Sequence, residues 1–407
     1  MEVLHPRCAG LDVHKESVVA CVRLARGRKV TRQVQTFGTT SGELLRLLEW
    51  LSRERVTHVA MEATGVYWKP VWHILEGPFT LVLANAREIR HVPGRKSDVS
   101  DAEWIADLLA HGLIRSSFVP PAPVQELRDL TRTRKQLVRE RTQHVQRLQK
   151  VLEDANIKLD NVITDLLGTS GRAMLEALVR GESDPERLAQ LAHPRLRATP
   201  AQLIEALTGR VTEHHRFLLR LHLAQVDAVD AAIAALEARL EEKLQPFRGA
   251  YEHLQTIPGV SETVAAVLLA EVGPDVSVFA SAGHLVSWAG LCPRLEESAG
   301  KRKNTRTRRQ SWLKTTLVQA AWAAIRTKDS YLRARFLRLK ARRGAKKAIV
   351  AVAASMLTAA YHMLKNDMDY QDLGTDYFQS RDREKTARQL MRRLQSLGYH
   401  VQLQSAA

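Results

Sequence analysis

The succession of elements in the first hundred residues constrains this chain more than any other feature. Residues 8–13, 17–24 and 30–37 are three runs rich in Val and other β-formers, with almost nothing between them. Residues 41–54 then switch to helical period, with Leu44, Leu45, Leu47, Leu48 and Leu51 on one face and Ser41 as the expected N-cap. A fourth strand is predicted over 56–62, a short helix over 66–75, a fifth strand over 79–84 and a closing helix over 97–111.

Within that succession, acids fall at the ends of elements. Cys8-Ala9-Gly10-Leu11-Asp12-Val13-His14-Lys15 ends the first strand on Asp12, and a tight polar connection leads into the second strand as a hairpin. Met61-Glu62-Ala63 ends the fourth strand, and Ser97-Asp98-Val99-Ser100-Asp101 sets two acids three apart at a helix start, on one face. Strand-strand-strand-helix-strand-helix-strand-helix is the order of a ribonuclease-H-like (RuvC-like) α/β domain. In that fold, acids from the first strand, the fourth strand and a late helix converge at one sheet edge. Asp12, Glu62, Asp98 and Asp101 then form a set able to hold two divalent cations, Mg²⁺ or Mn²⁺ given carboxylate and water ligands. Taken singly, each acid also fits a cap or a surface position, and Asp98 and Asp101 would favour a helix N-terminus. Glu103 and Asp107 on the same helix are the competing carboxylates. His14 and Lys15 beside Asp12 read either as phosphate contacts or as plain surface.

Val119-Pro120-Pro121-Ala122-Pro123 reads as a linker, because Pro suits neither helix interior nor sheet. Residues 124–158 and 200–244 read as two long helices with charged outer faces: a coiled-coil pair, a dimer arm or an antiparallel pair within one chain. Residues 160–199 are mixed. After Pro246, Ile257-Pro258-Gly259 leads into a helix over 262–271. This turn is either a helix-hairpin-helix-like device whose amides hold a DNA phosphate or an ordinary turn. Helices are also expected over 312–326 and 345–364, with 371–407 polar and loosely ordered. The domain scheme is therefore 1–118, RuvC-like; 119–246, long helices; 247–370, a mostly helical C-terminal domain; and 371–407, a tail.

Charge points to an anionic partner. Sixty-one Lys and Arg against 44 Asp and Glu leave +17. Eighteen of those basic residues lie between Arg294 and Lys347, a stretch with only three acids. So lopsided a run suits phosphates, since each one neutralised releases a bound counterion. Lys301, Arg302, Lys303, Arg306, Arg308 and Arg309 are the expected contacts. Cys8, Cys21 and Cys292 have no paired spacing, which argues against a disulfide scaffold or a Cys-based zinc site. No apolar run reads as a membrane span and no signal-peptide pattern opens the chain, so a cytoplasmic, nucleoid-associated protein is expected.

With these residues set out, the chain resembles the transposases of the insertion sequence 110 family, DEDD recombinases guided by a bridge RNA. Gly10-Leu11-Asp12-Val13-His14-Lys15, Met61-Glu62-Ala63-Thr64-Gly65 and Ser97-Asp98-Val99-Ser100-Asp101-Ala102 match the family's RuvC-like domain. Ile257-Pro258-Gly259, Ser287-Trp288-Ala289-Gly290-Leu291 and Glu297-Ser298-Ala299-Gly300 match its C-terminal transposase domain. The resemblance implies DNA recombination by metal-assisted serine attack, with Ser298 as nucleophile and Ser287 as the second choice. It also implies DNA element ends and target as substrates, a guide RNA as partner and a homo-oligomer. Two departures stand out: Ser298-Ala299-Gly300 replaces a direct Ser-Gly, and Arg309-Gln310-Ser311-Trp312-Leu313-Lys314 replaces a Gly-Asn before a Leu-Arg pair. Two rival readings are a RuvC-like junction-resolving nuclease using metal-activated water and a non-catalytic nucleic-acid-binding protein.

Overall fold

β-Branched side chains are stiff at χ1 and sit well on a pleated surface, and the three leading runs are extended as their composition predicts. They form β1 (Arg7–Val13), β2 (Ser17–Arg26) and β3 (Lys29–Gly38), followed by α1 (Ser41–Arg53), β4 (His58–Glu62), α2 (Trp68–Leu75), β5 (Thr80–Ala84) and α3 (Asp101–Ala110). The structure is a computed structural model that describes residues 2–27, 29–63, 65–85, 89, 100–293, 296–298, 300–303, 307, 311–378 and 383–399. The chain divides into two compact units, Met1–Val119 and Pro120–Ala407.

In the first unit the strands lie in the order β3-β2-β1-β4-β5. β1 is antiparallel to β2 and β2 to β3, whereas β1–β4 and β4–β5 are parallel, giving a mixed sheet. The two-residue period of a strand sorts its side chains between two cores. Ala9, Leu11, Val13, Val59 and Met61 pack with Leu44, Leu47 and Leu51 of α1 and Leu75 of α2. Cys8 and Ala60 face the other way, toward Ile105, Leu108 and Leu109 of α3. Two details of the expected elements change. α1 is preceded by Thr40 rather than capped by Ser41. α3 begins at Asp101, because Ser100 caps it in a reciprocal pair with Glu103; residues 97–99 lie outside the described residues.

The second unit opens with α4 (Ala122–Asp154), then α5 (Leu159–Val162), α6 (Thr169–Arg180), α7 (Pro185–Ala189), α8 (Pro200–Leu207) and α9 (Glu213–Leu244). α4 and α9 run antiparallel within one chain. Their pairings step in opposite directions: Glu126 with Lys243, Arg134 with Glu237, Arg141 with Asp230 and Asp154 with His215. The second long helix is shorter than expected. α8 ends at Leu207, and Gly209 presses on the chain at Ala155, whose carbonyl oxygen a Cβ would meet at 2.4 Å. Thr212 then starts α9 with a reciprocal cap to His215. The short helices bury Met174, Leu175, Leu188 and Leu203 against Leu148, Leu152, Leu219 and Leu223 of the long pair.

The chain continues through a single 3₁₀ turn into α10 (Arg248–Gln255), α11 (Glu262–Val272), α12 (Ala282–Trp288), β6 (Glu296–Ser298), β7 (Lys301–Lys303), α13 (Trp312–Ala324), α14 (Tyr331–Arg343), α15 (Ala345–Asn366) and α16 (Arg383–Ser396). In the Pro258-Gly259 turn, Gly259 has φ +81° and lies on the backbone of α13, with a Cβ position 2.5 Å from the Ala320 carbonyl oxygen. Packing is thus a sufficient reason for that glycine. α15 is long and apolar enough to cross a membrane, which corrects the expectation of no such run. Its Val352, Met356, Leu357 and Ala360 are buried, and it packs on α10, α12, α13 and α14 as a core helix. α14 escapes the sequence reading, and α16 corrects the loosely ordered tail over 383–396.

Candidate functional site

Alternation along β1 and β4 sets the first group of acids. Cys8 and Ala60 face α3, so Asp12 and Glu62, in phase with them, fall on that same face at the ends of their strands. The register pairs Leu11 with Met61, which makes Asp12 and Glu62 the next residues along two adjacent parallel strands. Gly10 sets how close α3 comes to β1. A Cβ there would lie 2.3 Å from the Ala102 carbonyl oxygen and 2.4 Å from the Ala106 amide nitrogen. Only a glycine lets α3 lie this close, and Asp101 is its first residue. The Asp12 side chain, 20% exposed, accepts a hydrogen bond from His14 Nε2 at 3.0 Å.

The fourth predicted acid, Asp98, lies outside the described residues. Among the described residues, no three His, Cys, Asp or Glu side chains stand close enough together to hold a metal ion. The donor chemistry of Asp12, Glu62 and Asp101 is nevertheless all carboxylate oxygen, which suits a hard divalent cation. The two competing carboxylates have other work. Asp107 accepts from Arg23 Nε at 2.7 Å and from Arg32 Nη2 at 2.9 and 3.0 Å, tying α3 to β2 and β3. Glu103 completes the cap of α3. Cys8 and Cys21, buried under the same helix, have thiols pushed up by burial to about 11 and about 12, so neither is a ready nucleophile.

The predicted serine sits on an arm of the second unit. β6 and β7 pair antiparallel, Ser298 opposite Lys301, Glu297 opposite Arg302 and Glu296 opposite Lys303. Gly300 turns the arm at φ +72°, a left-handed conformation that costs glycine nothing. At the base, Pro293 bridges Thr307, whose hydroxyl accepts from Lys314 Nζ at 2.7 Å. Ser311 caps α13 and donates through Oγ to the Ala289 carbonyl at 3.1 Å. Both legs of the arm are therefore fixed to helices. Lys301, Arg302 and Lys303 form β7, whereas Arg306, Arg308 and Arg309 lie outside the described residues. Ser287 is exposed in the last turn of α12.

One group of basic residues escapes the sequence reading. Arg132, Lys135 and Arg139 of α4 surround the Trp312 ring, the first residue of α13 beyond the arm. The signal was the spacing along α4, hidden among the many charges of a long helix.

Comparison with known proteins yields two family matches. Residues 9–157 match a model of DEDD-type transposases of insertion sequence IS110, described as "Transposase". Residues 251–337 match the model described as "Transposase IS116/IS110/IS902 family". The chain is 26% identical to the insertion element IS900 uncharacterized 42 kDa protein of Mycobacterium paratuberculosis, over 72% of this chain and 81% of that one. It is 27% identical to the insertion element IS110 uncharacterized 43.6 kDa protein of Streptomyces coelicolor, over 69% and 73% respectively. It is 28% identical to the insertion element IS116 uncharacterized 44.8 kDa protein of Streptomyces clavuligerus, over 63% and 72%.

Proposed function

Because the chain belongs to the IS110/IS116 family of transposases, we propose that it cuts and rejoins DNA through a covalent bond between Ser298 and a DNA phosphate. The observation that supports this most is the pairing of two features: adjacent strand-end acids under α3, and a basic arm, held at its base, that bears a serine beside its turn. In this reading the first unit is ribonuclease-H-like, as its strand order suggests. Asp12, Glu62, Asp98 and Asp101 would hold Mg²⁺ or Mn²⁺, which supplies charge stabilisation at phosphorus.

The chain's own residues do the rest. Ser298 gives up its hydroxyl proton and its Oγ bonds to phosphorus, while the phosphorus–oxygen bond to the departing strand breaks. That strand leaves as a free hydroxyl end. Rejoining reverses the exchange: an incoming hydroxyl attacks, and Ser298 recovers its proton. Because one phosphoester replaces another, no bond energy is lost to water. His14, bonded to Asp12, holds that carboxylate in one orientation. The cations of β7 bind and orient the DNA backbone. The substrates are the DNA ends of the element and its target; a guide (bridge) RNA and a homo-oligomer complete the proposed assembly, and the basic surplus suits both nucleic acids.

A reaction stalled on a nicked DNA substrate tests this. Wild-type protein should remain covalently attached to a DNA end, and peptide mapping should place the link at Ser298. Ser298→Ala should abolish the adduct, while the exposed Ser287→Ala keeps it. Asp12→Asn and Glu62→Gln should bind DNA but form no adduct. DNA cut without any adduct would replace this mechanism with hydrolysis by water, and an adduct that disappears only with Ser287→Ala would move the nucleophile.

A further inference from the structure

Arg128, Arg132, Lys135 and Arg139 are spaced four, three and four apart, which puts them in one stripe along α4. The first two are spent on structure. Arg128 donates from Nε to the Ala270 carbonyl at 3.1 Å and from Nη2 to the Glu271 carbonyl at 2.7 Å, closing the end of α11. Arg132 makes a two-pronged contact with the Glu271 carboxylate at 2.8 and 2.9 Å. Glu271 is thus the acid that both of these arginines share, with the Asp129 charge also near Arg128. Among the described residues, neither Lys135 nor Arg139 makes an ion pair, and Glu271 reaches Lys135 only as a nearby charge.

The side of α4 that meets α9 is different. There Arg134 faces Glu237, Arg141 faces Asp230 and Glu126 faces Lys243, one acid for each cation. Charges balanced on one side and, among the described residues, in surplus on the other suit the second side to a further anion. Trp312 holds the surplus together. The ring centroid lies 5.7 Å from the Arg132 guanidinium carbon, 5.3 Å from Lys135 Nζ and 5.6 Å from the Arg139 guanidinium carbon. Cation–π attraction to one ring is weak and does not neutralise three like charges. Partial burial and then the neighbouring Arg139 charge lower the Lys135 pKa, against a smaller opposing pull from Glu271, a condition an approaching anion relieves.

The position of the patch names the anion. Trp312 follows Ser311, which is tied to Ala289, and Lys314 in the same turn holds Thr307 at the base of the Ser298 arm. The patch therefore lies beside the root of the basic arm. We propose that Lys135 and Arg139, steadied by Trp312, seat two backbone phosphates of the DNA strand that the arm engages. This rests on the recombinase reading above; RNA as the occupant is an outcome of the test.

The full-length protein is titrated with a labelled DNA duplex and, separately, a labelled hairpin RNA, at several salt concentrations. Each phosphate contact contributes about 0.9 to the slope of log affinity against log salt on duplex DNA. Lys135→Gln with Arg139→Gln should therefore flatten the DNA slope by roughly two. Arg134→Gln with Arg141→Gln removes the same charge from the balanced side and should leave the slope unchanged. If the double variant melts below the assay temperature, Lys135→Met keeps the apolar stem and should still cost about one unit of slope. An unchanged DNA slope, an equal loss in the control pair or a loss confined to RNA would each overturn the proposal. Failure of the wild-type protein to bind DNA or form the adduct would instead sink the recombinase reading. Wild-type adduct with an unchanged variant slope removes the phosphate seat alone.

Discussion

Gly10 carries no chemistry, yet the acid edge depends on it, because its missing Cβ lets the start of α3 reach the end of β1. Gly10→Ala would set a Cβ 2.3 Å from a helix carbonyl and 2.4 Å from a helix amide, and neither backbone atom can swing aside. The helix must lift, at a cost of about 1–3 kcal/mol. We expect a lower melting temperature, and a loss of adduct beyond what stability explains, since Asp101 moves with the helix while Asp12 stays. A variant that melts and reacts like wild type would show that α3 can shift freely. The arm makes a second prediction at this scale. Replacing Lys301, Arg302 and Lys303 with Ala should flatten the salt dependence of DNA binding by nearly three units if each meets a phosphate. An unflattened slope would assign the run to a solvated face.

Elements differ in what their ion pairs are worth. Glu271 is 5% exposed and joins α11 to α4 through Arg132 and Arg128. Glu271→Ala leaves the Arg132 guanidinium without its carboxylate partner and removes a charge close to Arg128. A cost of about 2–3 kcal/mol is expected in a denaturant titration, low for a buried pair because Arg132 is 36% exposed. Asp230→Ala on the other side of α4 removes a pair exposed to 37% and 44% and should cost under about 1 kcal/mol. Equal losses would mean that burial does not set the ranking. His253 adds a pH term. It bonds Asp369 at 2.6 Å and lies 3.3 Å from Asp367, fastening α10 to the segment after α15. The Asp369 bond, then the nearby carboxylate charges, raise its pKa above 6.5, so its stabilisation is complete below that pH and fades as pH climbs through the raised value. The melting difference between wild type and His253→Gln should therefore be largest at about pH 5.5 and shrink by about pH 8.5; a constant difference would remove the charge from the account.

The same elements show what the sequence made legible. Short runs of β-forming residues over 8–13 and 56–62 were enough to read both strands and to put Asp12 and Glu62 at their ends. The break at Gly209 was hidden, since its cause is the Ala155 backbone, remote in sequence. α14 was missed although Leu332, Phe336 and Leu339 recur at helical spacing, because the Arg and Lys between them read as a basic run; Leu332 and Phe336 are the residues buried there. The Lys135–Arg139 patch was illegible for a third reason. Its meaning lies in which acids are absent from the facing helices, and a single helix does not display that.

At the scale of the whole molecule, each unit has its own apolar interior. Leu11, Leu47 and Met61 belong to one, and Leu148, Leu175 and Leu219 to the other. A chain whose cores are separate need not melt as one cooperative block. Scanning calorimetry should resolve two transitions, and the substitutions above identify them. Gly10→Ala should lower only the transition of the first unit, because its clash lies between β1 and α3. Glu271→Ala should lower only that of the second, because its broken pair lies between α4 and α11. A loss of 1 kcal/mol moves the midpoint by about 4–8 °C for a domain of roughly a hundred residues and by less for a larger one. The first unit should therefore respond more steeply per unit of lost stability than the second. One transition, lowered alike by both substitutions, would mean that the two units fold as a single cooperative body.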